Sequence, residues 1–144
     1  MQTVRQLLAS KSKRDPVTVG PDVTVYQALQ ALAEHDIGAV LVTEAGAVIG
    51  IFSERDYARR IVLQGRTSAS TPVRSIMTSR VMYVGPDNTV DDCMALMTEQ
   101  RIRHLPVLEK GALIGLLSIG DLVRATIDEQ KFVIDNLVHY IQGA

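Results

Sequence analysis

The chain alternates between short continuous apolar runs and longer stretches in which apolar residues recur every three or four positions. VTV at 17–19 is a short strand pattern, and the GPD that follows is a turn. From Val25 the apolar residues Val25, Ala28, Leu29 and Leu32 fall on one helical face that runs to about His35. Thr24 with Gln27 three residues on marks the start of that helix as a capping box. GAVLVT and AVIGIF are unbroken apolar runs around Glu44-Ala45-Gly46, which predicts two strands joined by a tight turn and covered on both faces. A second helix is predicted from Ser53.

The same order then returns. A shift of 65 positions lays Val17 on Met82 and carries the whole pattern through without a gap. Gly20, Pro21, Asp22, Thr24 and Val25 fall on Gly85, Pro86, Asp87, Thr89 and Val90; Gly50, Ser53, Asp56 and Arg59 fall on Gly115, Ser118, Asp121 and Arg124. The flanks echo as well, TVRQLL near the start against PVRSIM at 72–77, with the first copy longer around residues 11–14. A strand–helix–strand–strand–helix unit written twice predicts two similar units packed about a pseudo-twofold axis, because neither buries its apolar face alone. The fold class is α+β. The expected divisions of one module over 1–144 are a first repeat at 4–63, a polar linker at 64–72, a second repeat at 73–127 and a helical extension at 128–144. That extension carries Phe132, Ile134, Leu137, Val138 and Ile141, more apolar surface than a short monomer needs, and is a candidate oligomer contact.

Composition narrows the class of function. Net charge is −1, which removes any overall bias toward nucleic acid or anionic membranes. No segment approaches the roughly 20 apolar residues of a membrane span. With a single cysteine, Cys93, no intramolecular disulfide forms, and the expected location is the cytoplasm. Cys93 falls on the apolar side of its helix and reads as core. His35, His104 and His139 lack metal-ligand spacing, and neither a G-x-x-x-x-G-K-S/T loop nor a G-x-G-x-x-G turn is present. Asp91-Asp92 sits in a first helical turn and compensates the helix dipole.

The repeat, the GPDxTV turns, RIRHLPV at 101–107 and the twice-written G-x-x-S-x-x-D (GIFSERD at 50–56, GLLSIGD at 115–121) together resemble a tandem pair of cystathionine-β-synthase (CBS) domains, from about Val4 to Ile127. The resemblance implies a regulatory module with two clefts that binds an adenosine-containing ligand: AMP first, with ADP, ATP, NAD(H) or S-adenosylmethionine as alternatives. It implies a homodimer, and it assigns Ser53 and Asp56 to one cleft and Ser118 and Asp121 to the other, the serine on a phosphate and the aspartate on the ribose hydroxyls. It also places base contacts at the start of each middle strand, here Ile37 with Ala39 and Ile102 with His104.

The residues themselves leave two readings of S-x-x-D. Ser53 and Ser118 are good N-caps, and the aspartates suit a helix N-terminus or an i,i+3 or i,i+4 pair with Arg59, Arg60 or Arg124. Against a cap alone, a reciprocal capping box prefers the longer Glu or Gln, and Gly50 and Gly115 permit close approach of a ligand or another backbone. A carboxylate beside a phosphate would repel it, so the aspartate's fitting role is to accept from a ribose diol. Thr18, Tyr83, Arg55 and Arg103 are further candidate contacts, and Lys11, Lys13 and Arg14 are candidate phosphate partners. Pro106 within a strand predicts an edge or a bulge and, with Leu41 in its place in the first copy, two unequal clefts. No base or metal set for catalysis emerges. The expected function is a sensor, not an enzyme, whose ligand state is read by a separate protein effector; the alternative is a ligand-independent dimerisation module with idle clefts.

Overall fold

The computed structural model describes residues 2–11 and 15–143. Helix α1 spans Val4–Ser10, strand β1 Thr18–Val19, helix α2 Val25–His35, strands β2 and β3 Ala39–Glu44 and Ala47–Ser53, and helix α3 Glu54–Tyr57, which continues as a π-helical stretch over Ala58–Val62. A 3₁₀ turn at Val73–Ser75 leads into the second copy: helix α4 at Val90–Gln100, strands β4 and β5 at His104–Glu109 and Ala112–Ser118, and helix α5 at Ile119–Gly143. The result is an α+β tandem repeat with two small sheets. In the first, β2 lies between parallel β1 and antiparallel β3; the second is the antiparallel pair β4–β5.

Local chemistry fixes these elements. The capping boxes Thr24–Gln27 and Thr89–Asp92 both close, and a third, Thr3–Gln6, starts α1. Each hairpin turns on two residues of positive φ, Ala45 and Gly46 in one, Lys110 and Gly111 in the other. That geometry matches the twist of the flanking strands. Only the middle strands are covered on both faces. Residues 39–42 and 105–107 are buried, whereas Ala47, Ala112 and Ile114 on the outer strands are exposed, so the expectation for β3 and β5 is corrected.

The second copy's opening strand is also missing: residues 82–84 make a single parallel bridge, Val84 to Val107. Pro106 supplies the reason. In the first copy the Leu41 N–H donates to the Val17 carbonyl at 3.2 Å. Pro106 stands in Leu41's place and has no N–H to give. The Val84 N–H still donates to the Pro106 carbonyl at 3.1 Å; the register shift at Val107/Leu108 is shared with Val42/Thr43 in the first copy and is not the proline's doing.

The two echoed flanks cross over. The first-copy segment at the start of the chain docks on the second copy, where the Val4 and Arg5 N–H groups donate to the Asn88 and Pro86 carbonyls at 2.8 and 2.9 Å. Val4 and Leu7 are buried with Val90, Cys93, Met97, Leu105 and Leu117. Conversely, the Val73 and Arg74 N–H groups donate to Val23 and Pro21 of the first copy, and Val73 and Ile76 are buried with Val25, Leu32 and Phe52. The same ion triad caps both joints, Arg5 with Asp87 and Glu109, Arg74 with Asp22 and Glu44. These pairs are exposed and set register more than they stabilise.

Gly50 and Gly115 serve this crossover. A Cβ on Gly50 would lie 2.4 Å from the Met77 sulfur, and one on Gly115 2.8 Å from Leu8 Cδ2. A side chain of the crossed segment fills the space expected for a ligand or backbone. Gly50→Ala and Gly115→Ala are each expected to cost on the order of 1–3 kcal/mol by overpacking, read by urea denaturation. Truncating the opposing Met77 or Leu8 to Ala in the same chain should reduce that cost; additive losses would place the glycines' role elsewhere.

Candidate functional site

Each S-x-x-D segment lies where an outer strand becomes a helix. At the first, the Ser53 N–H and hydroxyl both donate to Asp56 Oδ2 at 2.9 and 3.0 Å, and the Asp56 N–H donates to Ser53 Oγ at 3.3 Å. At the second, the Ser118 N–H donates to Asp121 Oδ2 at 2.8 Å and the Asp121 N–H to Ser118 Oγ at 3.1 Å. Both are closed capping boxes. The preference of such a box for Glu or Gln therefore does not argue against a cap here, as Thr89–Asp92 also demonstrates. A β-region serine directs its own N–H toward the helix, so the shorter carboxylate reaches it.

The two aspartates differ in their remaining partners. Asp56 is 8% exposed and accepts the Thr78 hydroxyl on Oδ1 at 3.2 Å. The expected pairing with Arg60 gives way to other partners: Arg60 donates to the carbonyls of Ile76 and Met77. Asp121 receives the Lys11 ammonium on Oδ2 at 2.9 Å and has Arg124 at 3.8 Å. Burial works to raise the Asp121 carboxyl, but the Ser118 N–H and Lys11 outweigh it and hold the group below the usual carboxylate value.

Asp121 opens onto a cleft of about 1290 Å³ built from both copies. That exceeds the roughly 300–1,000 Å³ common for small-molecule sites, leaving room for a nucleotide. One wall is the first copy's residues 15–17 and 35–39; facing it are His104, Leu116, Ser118 and Asp121. The N-terminal segment contributes Gln6, Leu7, Ser10 and Lys11, and α5 extends the wall through Arg124, Asp128 and Phe132. His104 bridges the copies: a Cβ on Gly38 would lie 3.5 Å from its Nε2. Burial holds its imidazole below the ordinary value, and so neutral at pH 7.

Of the sequence candidates, Ser118, Asp121, Ile37, Ala39, His104 and Lys11 come together here. Ala39 is buried and Ile37 half-buried, which supplies an apolar patch across from the carboxylate. The others lie elsewhere. Thr18 is exposed in β1 beside the lining residue Val17, and Tyr83 is 61% exposed. Ser53 and Asp56 are occupied with each other and Thr78, and Arg55 donates to the Arg101 carbonyl at 3.3 Å. Ile102 packs on the second copy's core, Arg103 is exposed with its carbonyl accepting from Ile119, and Pro106 is buried in β4. Lys13 and Arg14 lie outside the described residues. Cys93 is buried, and desolvation pushes its thiol up to about 11, as suits a core residue. Thr78 and the α5 wall residues Asp128 and Phe132 were not foreseen. Only the crossover brings Thr78 to Asp56, and only the unbroken run of α5 brings Phe132 to the cleft.

The fold and this cleft define a tandem-repeat module with a shared inter-repeat pocket. The CBS domain model matches residues 4–63 and 73–128, and the chain belongs to the CBS-domain family. It is 45% identical over 127 residues to the mitochondrial CBS domain-containing protein CBSX3 of Arabidopsis thaliana, covering 85% of this chain and 62% of that protein's length. A CBS-domain protein from Burkholderia ambifaria MC40-6 superposes with a TM-score of 0.87 at 52% identity, over 90% of this chain and 96% of that one. CBS domain protein PAE2072 from Pyrobaculum aerophilum, solved in complex with AMP, superposes with a TM-score of 0.73 at 28% identity, over 83% and 88% of the two chains. Among the described residues no helix is long and apolar enough to cross a membrane.

The lowered carboxyl of Asp121 fixes a pH signature. A depressed folded value contributes stability that is complete above the unfolded value of about 3.9 and is lost as pH falls through the folded one. The stability gap between wild type and Asp121→Asn should thus be present at pH 5–7 and close progressively below about pH 4. Urea denaturation across this range measures it, and a gap constant down to pH 2 would contradict the assignment.

Proposed function

We propose that this chain is a regulatory sensor that binds an adenosine-containing ligand in the cleft at Ser118 and Asp121 and passes the ligand state to a protein partner. One observation carries the reading. A nearly buried carboxylate, 12% exposed as a side chain, faces a roomy cleft that also presents Ile37 and Ala39 from the other copy. Such a carboxylate accepts from a ribose diol, while the apolar patch across the gap suits a base. The AMP complex of the Pyrobaculum relative supports the same ligand class. AMP is the first candidate, with ADP, ATP, NAD(H) and S-adenosylmethionine next. Ser53 and Asp56 are the corresponding pair for a second, weaker site, since both Asp56 oxygens already hold donors. No side chain set for turnover is invoked; binding acts by its differential affinity for two states of the module.

The partner reading includes a second copy of this chain. Beyond Ile127 the α5 side chains Ile134, Leu137 and Ile141 are 57%, 57% and 76% exposed. With Val123 and Gln130 they follow a 4-3 spacing that places Ile at 127, 134 and 141 and Leu at 137. β-Branched Ile fills one seam position throughout, which suits two-stranded pairing; the other position carries Val123, Gln130 and Leu137. Homodimerisation through α5 in the cytoplasm is the arrangement we favour.

Thermal melts with AMP, ADP, ATP, NADH and S-adenosylmethionine test the sensor reading. A ligand at about 100 times its dissociation constant adds about 2.7 kcal/mol, worth roughly 2–4 °C per kcal/mol for a chain near this size. Asp121→Ala should abolish the shift and cost about 1 kcal/mol for the lost cap, whereas Asp56→Ala should cost similar stability and leave this cleft's affinity intact. Flat melts with every ligand would favour the idle-cleft module. In sedimentation, wild type should run as a dimer and Ile134→Lys with Leu137→Lys as a monomer; a monomeric wild type would remove the α5 pairing.

A further inference from the structure

The two S-x-x-D aspartates are tied differently, and the difference lies in one residue. At Asp56 the extra donor is a neutral hydroxyl, Thr78. At Asp121 it is the Lys11 ammonium, which donates at 2.9 Å both to Asp121 Oδ2 and to the Leu116 carbonyl. Lys11 caps the C-terminal end of α1, its own N–H donating to the Leu7 carbonyl at 3.0 Å. A single side chain therefore joins the crossed N-terminal helix, the edge of β5 and the carboxylate that faces the cleft.

The surrounding charge makes this cation matter. Among the described lining residues, Asp15, Asp36, Asp128 and Glu129 accompany Asp121, against Lys11 and Arg124. Arg124 is 73% exposed as a side chain and stands 3.8 Å from Asp121, so among the described residues Lys11 is the cation held inside. An anionic group entering beside these carboxylates is repelled unless a cation meets it, and partial burial strengthens both effects.

Resting on the adenosine-site reading above, we propose that Lys11 is a charge-selective latch, the residue that makes this cleft choose a 5′-phosphorylated nucleoside over the neutral nucleoside. At 2.9 Å the ammonium neutralises Asp121. A ribose brings two hydroxyl donors to the same carboxylate and competes with Lys11 for it. A 5′-phosphate gives the displaced ammonium a new partner; a neutral nucleoside gives it none. The exchange also moves the link from β5 and Asp121 to the ligand, so occupancy alters how α1 is held on the second copy. An ammonium suits the task because its three donors rotate on a flexible stem.

The test is calorimetric titration of wild type, Lys11→Met and Lys11→Arg with AMP and with adenosine. Wild type should bind AMP at least tenfold more tightly than adenosine, with a preference that shrinks as salt rises. Lys11→Met should weaken AMP at least tenfold while adenosine binds equally or more tightly, and Lys11→Arg should restore much of the preference. Urea denaturation of each variant separates folding from binding. Equal loss of both ligands in folded Lys11→Met, or an unchanged ratio, overturns the latch while leaving the adenosine site standing. No binding of either ligand by wild type overturns that site, and the latch with it.

Discussion

The structure depends on the exchange of two short segments between the repeats. Each copy of the strand–helix–strand–strand–helix unit leaves part of its apolar face open, and the cover for each comes from the flank that precedes the other. Val4 and Leu7 complete the second core; Val73 and Ile76 complete the first. Burial of such side chains is worth about 1.5–3 kcal/mol apiece, so neither half is complete without its counterpart's flank. The exchange also creates the cleft. Because α1 lies on the second copy, Gln6, Ser10 and Lys11 reach the mouth of a pocket whose far wall belongs to the first.

On the proposed reading, helix capping and ligand recognition would use the same atoms. Asp121 closes the capping box of α5 and is also the acceptor that faces the cleft. One role does not displace the other, because a carboxylate has about four acceptor sites and the box uses only one of its oxygens. Ser118 likewise has its hydroxyl on the Asp121 N–H. The Ile119 N–H is likewise held, by the Arg103 carbonyl, so the first N–H groups of α5 are largely satisfied within the chain. Asp56 has the same box but a different surrounding, and the first copy is accordingly closed where the second is open.

Much of this was legible from the chain. Helix boundaries at His35 and Gln100, both hairpin turns and the S-x-x-D helix starts follow from caps, turn residues and apolar periodicity, which are local properties. The grouping of Ile37, Ala39, His104, Ser118 and Asp121 was legible only in part. The repeat supplied the residues, but which copy's strand faces which copy's aspartate is a matter of packing. Two inferences failed for a shared reason: both treated an element in isolation. The preference of a box for Glu or Gln leaves out the serine's backbone direction, and Gly50 as clearance for a ligand or another backbone leaves out Met77. The lost second-copy strand is the opposite case. Pro106 predicts an edge or a bulge in its own strand, and its effect falls on the neighbour that needed its N–H.

Helix α5 extends the consequences beyond the cleft. Its 25 residues run roughly 37 Å without a break. Asp121, Arg124, Asp128 and Phe132 line the pocket, and from Val133 to Ile141 the same helix presents exposed apolar side chains. In the first copy the equivalent helix gives way after one turn to a π-helical stretch and stops at Val62, so only the second copy carries the cleft wall outward. A change at Asp121 therefore acts on an element whose far end lies outside the module. Any shift of α5 against α4 and β5 displaces the apolar stripe with it, because a continuous hydrogen-bonded helix transmits a rotation of one end to the other. The asymmetry between the copies, a shortened helix over a closed capping box and a lengthened helix over an open cleft, joins the cleft wall and the exposed apolar stripe in a single element.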